Sequence, residues 1–309
     1  MSRYGFAVVV GMMAMAAWTD SLRAGSVNLP NGSFESPPTD YIDINIDFWQ
    51  KGAKPDWYDE RGGFLWSQLT GTFTNTNLPP GNPDHLDNCD GNQAIWMFAI
   101  PEAALFQDYD SMDWNDSLPT HAFNVIFEVG KSYQLTVGVI GGGGGMQVGV
   151  SLELSLYYRD GASNMVTVAA TSITNTPAIF SNTTHLVDFV VHVPAVKATD
   201  AWAGQNIGVQ SMSTVSTNLA GGYWNLDNVR LSAVSEATLR ELSSTNGQFK
   251  FTLQSEPGLR FEILAATNIT QSISNWTSLG TVTNVTGTTP FTDTATSFNR
   301  RFYRARQLP

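Results

Sequence analysis

The sequence predicts an all-β chain, a jelly-roll β-sandwich followed by a small Ig-like β-sandwich. Three observations carry this expectation. From Val27 to Val234 the chain is a series of short alternating apolar and polar runs, broken by Gly, Pro, Asn and Asp, without a run of helical period. Charged residues make up only 14% of the whole sequence, with Thr, Ser, Asn and Gly in their place, as in many exported β proteins. Beyond a polar stretch at 232–246 the strand-rich texture resumes in a second, shorter block.

The elements follow in order. Arg3, an apolar run from Gly5 to Trp18, polar Thr19 to Arg23 and the small pair Ala24-Gly25 have the layout of a secretory signal peptide over 1–24, too short for the roughly 20 apolar residues of a membrane span. The mature chain is therefore expected to be exported, secreted or at the cell surface, with no membrane insertion. The jelly roll is assigned to 25–234, a linker to 235–246 and the small β-sandwich to 247–309. The clearest strand pattern is Val148, Val150, Leu152, Leu154 and Leu156, preceded by Tyr133, Leu135, Val137 and Val139, each with small or polar residues between. Five glycines, Gly141 to Gly145, separate the two and read as a flexible hairpin connection. Further strands are expected at 93–98, 166–170, 186–193, 206–209 and 223–231. A short helix is possible at 236–242, before strands at 249–253, 259–265, 276–282 and 301–306, with Trp276 and Phe302 in the second core.

Composition excludes some functions. A formal charge of -11 and a pI near 4.6 argue against nucleic acid, whose phosphates are bound mainly by Lys and Arg. The single cysteine, Cys89, cannot form an internal disulfide, so stability is expected to come from packing, with a metal as a further contributor, rather than from cross-links. Cys89 itself reads as a small buried or half-buried side chain rather than a nucleophile. Oligomeric state does not follow from the sequence.

Two motifs carry a carboxylate inside an apolar strand: Asn31-Gly32-Ser33-Phe34-Glu35 and Asn225-Leu226-Asp227-Asn228-Val229-Arg230-Leu231. The first and last strands of a sandwich commonly lie side by side, so Glu35 and Asp227 are candidates to converge. A buried carboxylate needs a partner, either a hard cation or backbone N-H groups at a strand end. Asp90, in the loop 87–92, is the third candidate ligand. Ca2+ is the expected cofactor.

Sugar recognition needs flat apolar surfaces against ring C-H faces, with amides and carboxylates at the edge. Trp57, Tyr58 and Trp66, with Asp56, Asp59, Glu60 and Arg61 nearby, offer that mixture, and so do Tyr109 and Trp114 with Gln107 and Asp108. These six, Trp57, Tyr58, Trp66, Gln107, Tyr109 and Trp114, are the candidate ligand-binding residues.

The order of signals, Asn-x-x-Phe-Glu at 31–35, Trp49, Asp-Gly-Asn at 90–92, Leu-Phe-Gln at 105–107, Gly-Lys-Ser-Tyr at 130–133 and Leu-Asp-Asn-Val-Arg-Leu at 226–231, resembles the galactose-binding-like jelly rolls of bacterial carbohydrate-binding modules. It also resembles the calcium-dependent Stig-type cyclases. The resemblance implies a structural calcium at Glu35 and Asp227. The segment after 247 looks like a small β-sandwich appended to many bacterial exported proteins, a spacer, attachment or sorting module. The expected function is a non-catalytic, exported polysaccharide- or glycan-binding protein. The alternatives are a calcium-dependent cyclase or lyase for a hydrophobic small molecule, and a structural or adhesive surface protein. Asn225, an amide in the inward position next to Asp227 where such cyclases carry a second acid, weighs against catalysis.

Overall fold

A computed structural model describes residues 25–75, 79–82, 85–235, 237–245, 248–255, 257–295, 298 and 300–308. The predicted signal peptide lies outside these residues. The chain is all-β and divides into two compact units, one from Gly25 to Ala233 and one beginning at Val234.

The first unit holds twelve strands: β1 (Gly25–Val27), β2 (Ile42–Asp43), β3 (Gln50–Lys51), β4 (Thr70–Thr74), β5 (Gln93–Phe98), β6 (Ala104–Gln107), β7 (Lys131–Gly143), β8 (Ser151–Arg159), β9 (Met165–Thr174), β10 (Val187–Val193), β11 (Gly208–Ser213) and β12 (Tyr223–Ser235). They form a seven-stranded sheet in the order β10-β7-β12-β5-β4-β2, with β1 on β12, and a five-stranded sheet in the order β3-β6-β11-β8-β9. A large core fills the centre of this unit, with Tyr133, Leu135, Val137 and Val139 of β7 and Leu152, Leu154 and Leu156 of β8 all buried, beside two smaller apolar clusters. The two-residue period puts these side chains on one face and their polar neighbours on the other. At 148 the alternation misleads: Val148 is exposed, because Gly149, at φ +95°, turns the chain before β8 begins.

The glycine run also differs from expectation. Gly141 to Gly143 continue β7 rather than leaving it as a loop. A Cβ on Gly141 would sit 2.8 Å from the Asn175 side-chain Oδ1 and the Trp224 ring, and one on Gly143 would sit 2.4 Å from the Tyr223 ring. These glycines let two aromatic rings of β12 lie against bare backbone. Only Gly144 and Gly145, at φ +60° and +73°, make the turn.

The second unit has β13 (Thr238–Thr245), β14 (Gln248–Gln254), β15 (Arg260–Ala266), β16 (Thr277–Thr283), β17 (Thr288–Asp293) and β18 (Phe302–Leu308), in two three-stranded sheets ordered β13-β14-β17 and β16-β15-β18. The segment expected as linker and short helix is instead the end of β12 and strand β13, whose register with β14 gives its backbone groups a ladder that an isolated helical turn would lack. Phe251, Leu253, Phe261, Ile263 and Leu264 form this unit's interior, whereas Trp276 and Phe302 are only half-buried. Phe249 of β14 stacks on Tyr303 of β18 at 4.7 Å, joining the two sheets.

Candidate functional site

The outer face of the five-stranded sheet carries a groove of about 470 Å³. Its floor follows from strand register. Ala104 and Phe106 of β6 pair with Met212 and Gln210 of β11, so all four side chains stand on one face, while Leu105 and Gln107 point the other way into the core. Arg159 at the end of β8, paired with Met165 of β9, closes one side. Lys51, Gly52, Ala53 and Glu102 close the other.

Arg159 is held rigidly. Its Nε and Nη2 donate to Asp108 Oδ2 at 2.8 and 2.7 Å, its Nη1 donates to the Ser163 carbonyl at 3.0 Å, and its guanidinium lies over the Phe106 ring at 5.6 Å. Asp108 is buried and also accepts a hydrogen bond from Tyr157 Oη at 2.7 Å. Burial and the Asp108 charge both push the Tyr157 phenol up, so it remains a donor. Across the groove, Lys51 Nζ donates to the carbonyls of Ser67 and Thr70; burial lowers its pKa to about 8 against the opposing charge of Asp43.

The segment 52–69 brings an aromatic cluster to the edge of this groove. Tyr58 and Trp66 meet at 4.9 Å, and Trp57 packs edge-on against both, at 5.8 and 6.4 Å. Trp66 is buried, its Nε1 donating to the Gly52 carbonyl at the groove wall at 2.6 Å. Trp57 is 48% exposed, and its Nε1 donates to Oε1 of the groove-lining Glu102 at 3.1 Å. Phe64, also exposed, packs on Phe98 at 5.0 Å. One exposed indole is thus fixed by two rings and a carboxylate, which removes rotamer freedom that a ligand would otherwise have to freeze.

The six predicted ligand residues scatter. Trp57, Tyr58 and Trp66 come together. Gln107 is fully buried and its amide nitrogen ties the carbonyls of Pro30 and Phe48. Tyr109 stacks on His121 at 4.0 Å, and Trp114 is 53% exposed on the loop between β6 and β7. The groove residues Phe106, Gln210 and Met212 escaped sequence reasoning, although the alternation of β6 and β11 would have flagged their outward face. Arg159 had no such signal, because its partner Asp108 lies far away in sequence.

Two of the three predicted metal ligands, Glu35 and Asp227, accept hydrogen bonds from the backbone of one turn, the turn that carries Asp90. Glu35 Oε1 accepts from the backbone N-H groups of Asn92 and Gln93 at 2.8 and 2.7 Å, and Asp227 Oδ2 accepts from Asp90 N at 2.6 Å. Gly91, at φ +100°, shapes that turn, and a Cβ there would strike the Glu35 carboxylate. Asp227 is fully buried, and among the described residues its Oδ1 accepts no hydrogen bond of normal geometry. Burial pushes its pKa up to about 7, against the N-H groups of Asp90 and Asn228, which lower it. Cys89 sits beside it, donating to the Gln93 carbonyl at 3.1 Å; burial and the Asp227 charge raise its pKa, so the thiolate a nucleophile needs is disfavoured. Among the described residues, no three His, Cys, Asp or Glu side chains are grouped to hold a metal ion. The unpartnered, buried Oδ1 is nevertheless the kind of atom a cation would satisfy.

No family model and no curated protein matches the chain. Among solved structures it is similar to a cyclase from Fischerella sp. TAU, at 18% identity over 70% of this chain and 100% of that one, with a TM-score of 0.48. A Stig cyclase from the same source, in complex with (3Z)-3-(1-methyl-2-pyrrolidinylidene)-3H-indole, aligns at 19% identity over 68% and 98%, with a TM-score of 0.46. The CBM22-1 xylan-binding domain of Paenibacillus barcinonensis Xyn10C aligns at 13% identity over 61% and 87%, with a TM-score of 0.32.

Proposed function

We propose that the protein is an exported, non-catalytic glycan-binding protein whose ligand lies in the groove over the five-stranded sheet. One observation supports this above the others: an apolar floor with a polar rim runs to an exposed, immobilised Trp57 through the shared residue Glu102. A pyranose presents an apolar C-H face and a hydroxyl edge, which matches an indole platform beside fixed polar groups. The proposal includes a structural Ca2+ that Asp227, Glu35 and Asp90 would hold with backbone carbonyls and water, since calcium takes roughly six to eight oxygens. Such an ion would supply the missing partner of Asp227 Oδ1 and pin the turn 89–93 to β12.

The test is retardation of the full chain by a panel of soluble polysaccharides, with Trp57→Ala beside it. We expect at least one polysaccharide to bind, and Trp57→Ala to weaken it about tenfold or more, in line with the one to three kcal/mol of a buried ring contact, while the melting temperature is unchanged. Retardation by none of the panel would discard the glycan reading.

The second reading, a calcium-dependent cyclase or lyase, draws on the raised pKa of Asp227, which suits a proton donor near neutral pH. Asp227 is sealed, however, and does not line the groove over the five-stranded sheet. Turnover of a hydrophobic indole substrate that disappears in Asp227→Asn would favour that reading.

A further inference from the structure

The wall of the groove narrows the ligand further, granted that the groove binds a glycan. An arginine has five N-H donors. In Arg159, Nε and one N-H of Nη2 are engaged by Asp108 and one N-H of Nη1 by the Ser163 carbonyl. Each terminal nitrogen therefore keeps one N-H without a protein partner among the described residues. Two N-H donors left on neighbouring nitrogens of a planar, charged guanidinium suit the oxygens of a carboxylate. The other polar groups of the groove offer no two donors fixed in one plane. Lys51 Nζ spends two of its three N-H donors on the carbonyls of Ser67 and Thr70, and Glu102 Oε1 accepts from Trp57. Gln210 points its Nε2 at the Met165 sulfur, 3.6 Å away.

Two electrostatic facts set the density of carboxylates the groove accepts. Asp108 lies within ion-pair distance of Arg159 and offsets its charge, so the recognition is directional rather than a long-range field. The chain as a whole carries a formal charge of -11, which repels a polyanion at low ionic strength. Isolated carboxylates gain the directional contact without the full repulsion.

We propose that the groove selects a glycan with a neutral backbone and sparse carboxylate side groups, one of which is held by the free N-H pair of Arg159 over the Phe106 ring.

Two matched pairs of probes test this on the full chain by affinity electrophoresis and titration calorimetry. One pair is a xylan carrying glucuronate side groups and the same xylan after reduction of its carboxyl groups. The other is lightly substituted carboxymethyl-cellulose and hydroxyethyl-cellulose. Polygalacturonate is the dense polyanion. In at least one pair the carboxylated member is expected to bind about tenfold tighter than its neutral partner, with polygalacturonate weaker than both at low salt. Arg159→Lys, which keeps a cation for Asp108 but removes the planar pair, is expected to equalise the two members. Should that variant melt lower, Asp108→Asn/Arg159→Gln, which leaves no buried charge, replaces it. Equal binding of both members of each pair by the native protein overturns the carboxylate proposal and leaves the glycan reading standing. Tightest binding to polygalacturonate overturns the sparse-charge argument. Binding to none of the probes removes the proposal together with the reading it rests on.

Discussion

The first unit buries two aspartates in opposite ways. Asp108, on the five-stranded side, has an arginine, a tyrosine hydroxyl and a backbone N-H for its two oxygens. Asp227, on the seven-stranded side, is more deeply buried, and among the described residues one of its oxygens accepts no hydrogen bond of normal geometry. A buried carboxylate that the chain neutralises itself is a fixed part of the architecture. One that the chain leaves incomplete must take a proton or an external cation. The second unit repeats the first solution, with Asp293 accepting from Arg301 Nη1 at 2.6 Å and Tyr303 Oη at 2.8 Å.

The contrast breaks most visibly at Arg159. Arg159→Met leaves Asp108 buried without its cation and should cost about 3 kcal/mol or more in urea denaturation at neutral pH. A loss below about 1 kcal/mol would mean that Asp108 is better solvated than its burial implies.

Calcium comes next. Titrated to about a hundred times its dissociation constant it should stabilise the native protein by about 2.7 kcal/mol, and Asp227→Asn should abolish the increment. Equal melting temperatures in calcium and in chelator would remove the ion from the proposal.

In chelator, the pH dependence sharpens the comparison. The folded pKa of Asp227, pushed up to about 7, exceeds that of an unfolded aspartate near 3.9, so the folded state binds more protons between those values. The stabilisation is complete below about pH 4 and is lost as pH rises through 7. Asp227→Asn should flatten this slope and, at pH 8, should be about 1 kcal/mol more stable than the native protein in chelator. A slope of opposite sign in the same window would refute the assignment.

The smallest effect belongs to Glu35→Gln. The amide oxygen can still accept from the Asn92 and Gln93 N-H groups, so stability in chelator should change by less than about 1 kcal/mol. A larger loss, measured by the same denaturation, would show that the negative charge of Glu35 matters without an ion.

Much of the fold was legible in the residues themselves. Strand β5 was predicted to the residue, and β7, β8 and β12 within a few positions, because their apolar alternation has no helical competitor. Where backbone geometry overrode pattern, reading failed. Gly149 turned Val148 out of its strand, the glycine run was needed for ring packing rather than for flexibility, and the segment after Ser235 found a ladder partner in β14. The site was half legible. Trp57, Tyr58 and Trp66 are close in sequence and their clustering is local, whereas Gln107 was chosen one residue away from Phe106, and in a strand one residue changes the face.

The sequence by itself determined that this chain is all-β, rich in aromatics and acidic, since alternation, composition and charge are properties of local residue order. It also marked Glu35 and Asp227 as carboxylates in need of partners. Only the tertiary structure decided who those partners are: the turn at 89–93 for Glu35 and Asp227, and Arg159 for Asp108, fifty-one residues away. Sheet pairing joins distant segments through backbone hydrogen bonds that carry no residue code, so which side chains share a face is set by register and not by any motif.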